Sequence, residues 1–243
     1  MTAIQTSALS KKYKNKTAVD ALNLTVRQGE LFALLGMNGA GKTTTIKMLS
    51  CLIPPTGGDA ILAGDSILTS PMKVKEKINV SPQETAVAPN LTVHENLSFI
   101  CGIYGYHAKT AKKMAEKTII DFGLTDIAKE KAETLSGGWQ RRLSIAMALI
   151  SEPQILFLDE PTLGLDVLAR RELWRVIQEL KGKITIILTT HYLEEAEALA
   201  DRIGIMAKGR LTAVGTAAEL LILAGKKNFE DAFLTLCGEG DTL

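Results

Sequence analysis

Eight consecutive residues constrain this chain more than any others: Gly36-Met37-Asn38-Gly39-Ala40-Gly41-Lys42-Thr43. They match the pattern GxxxxGK[ST] in full, and their setting supports the match. Upstream lies a short apolar run, Leu31–Leu35, bounded by Gly29 and Gly36. Downstream, Ile46 and Leu49 open an apolar helical pattern. Strand, glycine-rich turn and helix, in that order, make a phosphate cradle. The glycines let backbone N–H groups curl around an anion, and the helix N-terminus adds positive potential. Lys42 is placed to reach β- and γ-phosphates, and Thr43 to offer its hydroxyl to Mg²⁺.

The rest of the chain is consistent with an α/β core around that loop. Ile155–Leu158, Ile184–Leu188 and Ile203–Met206 are further short apolar runs, as expected for parallel strands covered on both faces. Between them, Leu143, Ala146, Met147 and Ile150 fall at helical spacing, as do Leu173, Val176, Ile177 and Leu180. Two parts differ. Residues 1–30 alternate (Leu22, Leu24, Val26), which predicts an antiparallel β piece. Residues 84–135 carry helical patterns instead (Leu97, Ile100 and Cys101; Met114, Thr118, Ile119 and Phe122) and read as a helical insert. After Ala224 the chain is more polar, but Phe229, Phe233, Leu234 and Leu236 predict one short amphipathic helix.

Ile155-Leu156-Phe157-Leu158-Asp159-Glu160 ends a buried strand in two carboxylates. Ligands of open α/β sheets bind at that strand end. Asp159 is suited to hold Mg²⁺ and Glu160 to polarise an attacking water. Asp159 lies 117 residues after Lys42, far more than a compact GTPase-like fold needs, and the helical insert accounts for the excess. Within it, Leu135-Ser136-Gly137-Gly138-Trp139-Gln140-Arg141-Arg142 precedes an amphipathic helix, with Ser136 as an expected N-cap. That is a second helix N-terminus suited to an anion.

Taken together, these motifs resemble the nucleotide-binding subunit of ATP-binding cassette (ABC) transporters, over about residues 4–236. The likeness rests on the Walker A loop at Gly36–Thr43, the LSGG signature at Leu135–Gly138 and the Walker B strand at Ile155–Glu160. Gln83, Leu163-Gly164-Leu165-Asp166 and His191 add to it. It implies a P-loop NTPase core of mainly parallel sheet, with an N-terminal antiparallel β subdomain and an inserted helical subdomain at about 84–150. The ATPase domain would span 1–224, and 225–243 would form a tail. Gly36, Asn38, Gly39, Ala40, Gly41, Lys42, Thr43 and Thr44 would hold ATP, with Tyr13 stacking on adenine. Thr43, Gln83 and Asp159 would hold Mg²⁺. Glu160 would act as general base, assisted by Gln83 and by the switch histidine His191. Asp166 looks like the D-loop carboxylate. Ser136, Gly137 and Gly138 would contact ATP bound to a second copy in a head-to-tail homodimer.

Three positions depart from the common pattern. Trp139 stands where the signature usually has Gln, Met147 where many relatives have Arg, and Leu163-Gly164 where the D-loop has smaller residues. With Asn228–Leu234 they point to the ABC-2 branch, which includes drug, antibiotic and polysaccharide exporters. Trp139 is expected to pack at the dimer seam. His94 and His107 are expected to be structural, and the lysines around Tyr13 to be solvated.

Composition separates the remaining classes. Twenty-eight Lys and Arg against 27 Asp and Glu give a net charge of +1, so no global field calls for nucleic acid. No apolar stretch approaches the roughly 20 residues of a membrane span, and Met1–Lys16 has no secretory h-region. Three isolated cysteines fit a reducing compartment. The expectation is therefore a peripheral ATPase on the cytoplasmic face of the cell membrane, working with a separately encoded permease. The surface from Gln83 to Tyr106, with Val87, Leu91, Val93 and Phe99, is either the docking face or simply the core of the insert. The alternatives are a soluble ABC ATPase of translation or DNA repair, and a regulatory module that binds ATP without turnover. Soluble members usually carry two cassettes, a long coiled coil or basic additions, and intact Glu160 and His191 argue against the last.

Overall fold

The computed structural model describes residues 1–238. Its centre is a six-stranded sheet in the order β11-β10-β4-β9-β8-β7. The strands are β4 (Leu31–Gly36), β7 (Ile78–Ser81), β8 (Ile155–Asp159), β9 (Thr185–Thr190), β10 (Arg202–Ala207) and β11 (Arg210–Gly215). All pairs are parallel except β10–β11. The four apolar runs of the sequence are β4, β8, β9 and β10. They are apolar throughout because both faces are covered. Along β8, Ile155 and Phe157 enter one core while Leu156 and Leu158 enter another.

On the first of those faces lies an antiparallel sheet in the order β2-β1-β5-β6, with β3 also paired to β1. Its members are β1 (Thr2–Tyr13), β2 (Lys16–Leu22), β3 (Thr25–Arg27), β5 (Gly57–Leu62) and β6 (Asp65–Ser66). The antiparallel piece expected within residues 1–30 thus recruits a hairpin from beyond the phosphate loop. The helix α1 (Lys42–Leu49) packs between the two sheets through Ile46, Met48 and Leu49, all buried.

The opposite face carries α3 (Val93–Ile103), α4 (Ala108–Asp121), α5 (Gly137–Leu149) and α6 (Val167–Leu180). Val93, Leu97, Ala115, Leu143 and Ile177 pack there with Leu156, Leu158 and Leu188. Helix α3 begins on a capping box: the Glu95 N–H donates to Thr92 Oγ1 and the Thr92 N–H to Glu95 Oε2. The first helix of the expected insert starts at Val93, and residues 84–92 are irregular. Three shorter helices, α2 (Pro71–Lys77), α7 (Leu193–Leu199) and α8 (Ala217–Ala224), complete the covering. The amphipathic helix of the tail is α9 (Phe229–Leu236). It buries Phe229 and Phe233 in one core with Ala33, Leu35, Ile203 and Ile205. The expected tail runs on through 239–243, which lie outside the described residues. No described helix is long and apolar enough to cross a membrane.

Candidate active site

Four loops leave the C-terminal ends of adjacent parallel strands and meet. The phosphate loop follows β4, Gln83 follows β7, Glu160 follows β8 and His191 follows β9. Because β9 lies between β4 and β8, His191 emerges between the phosphate loop and Glu160. A cavity of about 500 Å³ opens there, lined by Tyr13, Asn38 to Thr44, Gln83, Glu160 and His191. Leu163, from the expected D-loop run, also lines it, as do Lys16 and Ala18, which no sequence motif singled out.

The loop backbone is built for close approach. Gly39 and Gly41 have φ of 82° and 106°. A Cβ on Gly41 would lie 2.5 Å from the Ala18 carbonyl, so only glycine fits. The Lys42 ammonium turns back over the loop. It donates to the Gly36 carbonyl at 2.7 Å and pairs with Glu160 Oε1 at 3.1 Å. Gly36 does not itself line the cavity but holds Lys42 through its carbonyl.

Glu160 is 6% exposed and has a left-handed backbone, φ 49°. That conformation costs a non-glycine residue energy and is held in place by its surroundings. The Glu160 N–H donates to both the carbonyl and the hydroxyl of Thr189, each at 3.1 Å. Its Oε2 meets His191 Nδ1 at 2.7 Å. Glu160 is thus oriented by a cation on one oxygen and an imidazole on the other. With Nδ1 engaged, Nε2 is the ring nitrogen left for a ligand.

Asp159, also buried, accepts from Thr43 Oγ1 at 3.1 Å and from Thr189 Oγ1 at 2.6 Å. A hydroxyl and a carboxylate at the mouth of a phosphate loop, with the Gln83 amide on the same cavity, are oxygen donors suited to Mg²⁺. Thr189, which touches both Asp159 and Glu160, was not picked out from sequence; its place in Thr189-Thr190-His191 is the available signal.

Other predicted residues stand apart. Ser136 and Gly138 line a separate small pocket with Trp139 and Arg142. Ser136 occupies the N-cap position of α5, but its side chain makes no capping bond. Asp166 does not line the cavity; its carboxylate caps α6, accepting from the N–H groups of Leu168 and Ala169 at 2.9 Å each. Trp139 is half-buried, packs on the helical core and stacks with the Arg142 guanidinium 4.7 Å from its ring centre. Lys11 is not solvated as expected. It is buried, donates to the Pro54 carbonyl at 2.6 Å and lies 5.2 Å from the Tyr13 ring centre. His94 and His107 are outside the cavity. Of the four apolar residues near Gln83, Val93 is buried and Val87 packs on the core, whereas Phe99 is 55% exposed.

Residues 19–163 match the family described as "ABC transporter". The chain belongs to the ABC transporter family. It is 43% identical over 218 residues to the linearmycin resistance ATP-binding protein LnrL of Bacillus subtilis, covering 89% of this chain and 70% of that one. The daunorubicin/doxorubicin resistance ATP-binding protein DrrA of Streptomyces peucetius is 43% identical over 219 residues, 90% of this chain and 66% of that one. Against an Arabidopsis thaliana member, ABC transporter A family member 11, this chain spans 25% of the relative's length. Among solved structures, an ATP-binding subunit of an ABC transporter superposes with a TM-score of 0.84 at 28% identity, over 96% of this chain and 99% of that one. A dimeric cassette, MJ0796, in a post-hydrolysis state bound to ADP and phosphate, gives 0.78 at 26% identity, over 88% and 98%. This member of the family binds and hydrolyses ATP to power transport.

Proposed function

We propose that this chain drives an exporter of the ABC-2 branch. It binds Mg²⁺ and ATP in a head-to-tail homodimer and docks on a separately encoded integral-membrane permease at the cytoplasmic face of the membrane. The observation that carries the reading is the Lys42–Glu160–His191 cluster at the phosphate loop. The resistance names of the two bacterial relatives favour export.

In this reading Tyr13 stacks on adenine, and Asn38 to Thr44 wrap the phosphates. Thr43, Gln83 and Asp159 would hold Mg²⁺, which would supply neutralisation of the charge on the phosphates. Phosphate and Glu160 compete for the Lys42 ammonium. As Lys42 turns to the γ-phosphate, Glu160 is freed to take the proton of the attacking water, while His191 keeps it oriented and reaches the γ-phosphate with Nε2. Ser136, Gly137, Gly138 and Asp166 lie off the chain's own cavity, which supports their use on nucleotide held by a second copy. The domain runs 1–224 with its helical insert at about 84–150. Phe99, Ile103, Tyr104 and Tyr106, all exposed at the end of α3 and just beyond it, favour that segment as the permease contact.

Glu160→Gln is expected to bind ATP, to lose turnover by about 10²-fold or more, and to accumulate as a dimer with Mg²⁺ and ATP in light-scattering chromatography. A monomer at saturating nucleotide would count against the dimer. Gentle detergent pull-down of the tagged chain should recover a stoichiometric polytopic membrane protein. Ribosomal or DNA-bound partners instead would move it to the soluble class.

A further inference from the structure

The helix that bears the signature is stitched to the segment that bears Gln83. Arg141, at the start of α5, is 4% exposed. Its guanidinium donates to two consecutive carbonyls, to Pro82 O at 2.5 Å and to Gln83 O. One turn further along α5, the Ser144 hydroxyl meets that of Ser81 at 3.0 Å. Residues 81, 82 and 83 are thus held in turn by a single helix face, just where the chain leaves β7 and ceases to be regular until α3. Burial pushes the Arg141 guanidinium down, and the Asp159 carboxylate opposes that shift, so the cation also lies within electrostatic reach of the carboxylate under Thr43.

Burying a cation is costly unless its donors are used. A planar fork satisfies two neighbouring carbonyls at once, which a lysine ammonium does poorly. Arg141 does not line the cavity.

We infer that Arg141 is a positioning residue for ATP hydrolysis: by clamping the Pro82 and Gln83 carbonyls it sets where the Gln83 amide stands in the cavity. It also ties that position to the helix carrying Ser136–Gly138, so a shift of α5 carries Gln83 with it. The inference rests on the reading that Gln83 serves the reaction.

The test is a double-mutant cycle in the full chain with Mg²⁺ and ATP, reading kcat, KM and melting temperature. Variants are Arg141→Lys, Arg141→Met, Gln83→Ala and the Arg141→Lys/Gln83→Ala double. Misplacing a catalytic group by about 1 Å is enough to cost up to about 10²-fold. Arg141→Lys should therefore lower kcat about tenfold, with KM changed by less than about twofold and the melting temperature kept. Arg141→Met should fall further; if it does not fold, the lysine variant, which keeps the charge, still decides. The double variant should be no slower than Gln83→Ala alone. Wild-type kcat in Gln83→Ala would remove the reading of Gln83 and the clamp with it. An impaired Gln83→Ala, with additive losses in the double or wild-type kcat in Arg141→Lys, would overturn the clamp and leave Gln83 standing. A fall in melting temperature, with kcat and KM moving together, would overturn it too, by making Arg141 merely structural.

Discussion

Lys42 and Glu160 form a pair with side chains 6% and 8% exposed, so neither charge has water to fall back on. Lys42→Ala should abolish measurable ATP binding and also strip a buried carboxylate of its cation. Breaking a buried pair from one side costs about 3 kcal/mol, which urea unfolding without nucleotide should detect; unaltered ATP binding would contradict the phosphate-loop assignment. Glu195 offers a second experiment. It is fully buried, accepts from Trp174 Nε1 at 3.0 Å, and burial raises its pKa, with the nearby Glu160 charge adding to the rise. A raised carboxylate means the folded chain binds more protons than the unfolded one once pH exceeds the ordinary glutamate value of about 4.3. Stability from this group is therefore intact below that pH and is lost as pH rises towards the folded pKa. Glu195→Gln mimics the protonated form. Its melting temperature should gain on wild type from pH 4 upward, and a constant difference across pH would refute the assignment.

At the scale of elements, the apolar runs were legible because both faces of the central sheet are covered, and β4, β8, β9 and β10 fall on them. Helix α3 was legible by its spacing, and its cap explains where it starts. Thr92→Ala removes the side-chain half of the capping box and should cost about 1 kcal/mol, read as a lower unfolding midpoint with ATP affinity unchanged. Other elements were not legible. Strand β5 carries Gly57, Gly58 and Asp59, poor strand formers in isolation, and is fixed by pairing with β1 some 50 residues earlier. Strand β6 is two residues long, and β7 is a four-residue strand at the sheet edge with only Ile78 and Ser81 buried. In the site, motif residues were found by pattern. Lys11, Arg141 and Thr189 were missed because a charge or hydroxyl that ends up buried looks the same in sequence as one in solvent. Their partners (Pro54, Pro82 and Gln83, Asp159) are set only by the fold.

For the whole molecule, two faces of one sheet divide the labour. One side holds the antiparallel sheet and α1 around the phosphate loop, and the other holds the helices that bear the signature and the exposed Phe99–Tyr106 end. The placement of β4 has a consequence for how the protein is made. That strand is central: its neighbours are β9 and β10, which begin about 150 and about 170 residues later. At about 5–20 residues per second, a nascent β4 waits roughly ten to thirty seconds with Phe32, Leu34 and Leu35 unpaired. A chain ending at Leu180, before β9, should therefore be retained by chaperones and not by ATP-agarose, and retention on ATP-agarose would contradict this. On that expectation, nucleotide binding would certify that synthesis has passed β9 and β10, because a copy terminated before them would lack a competent phosphate loop.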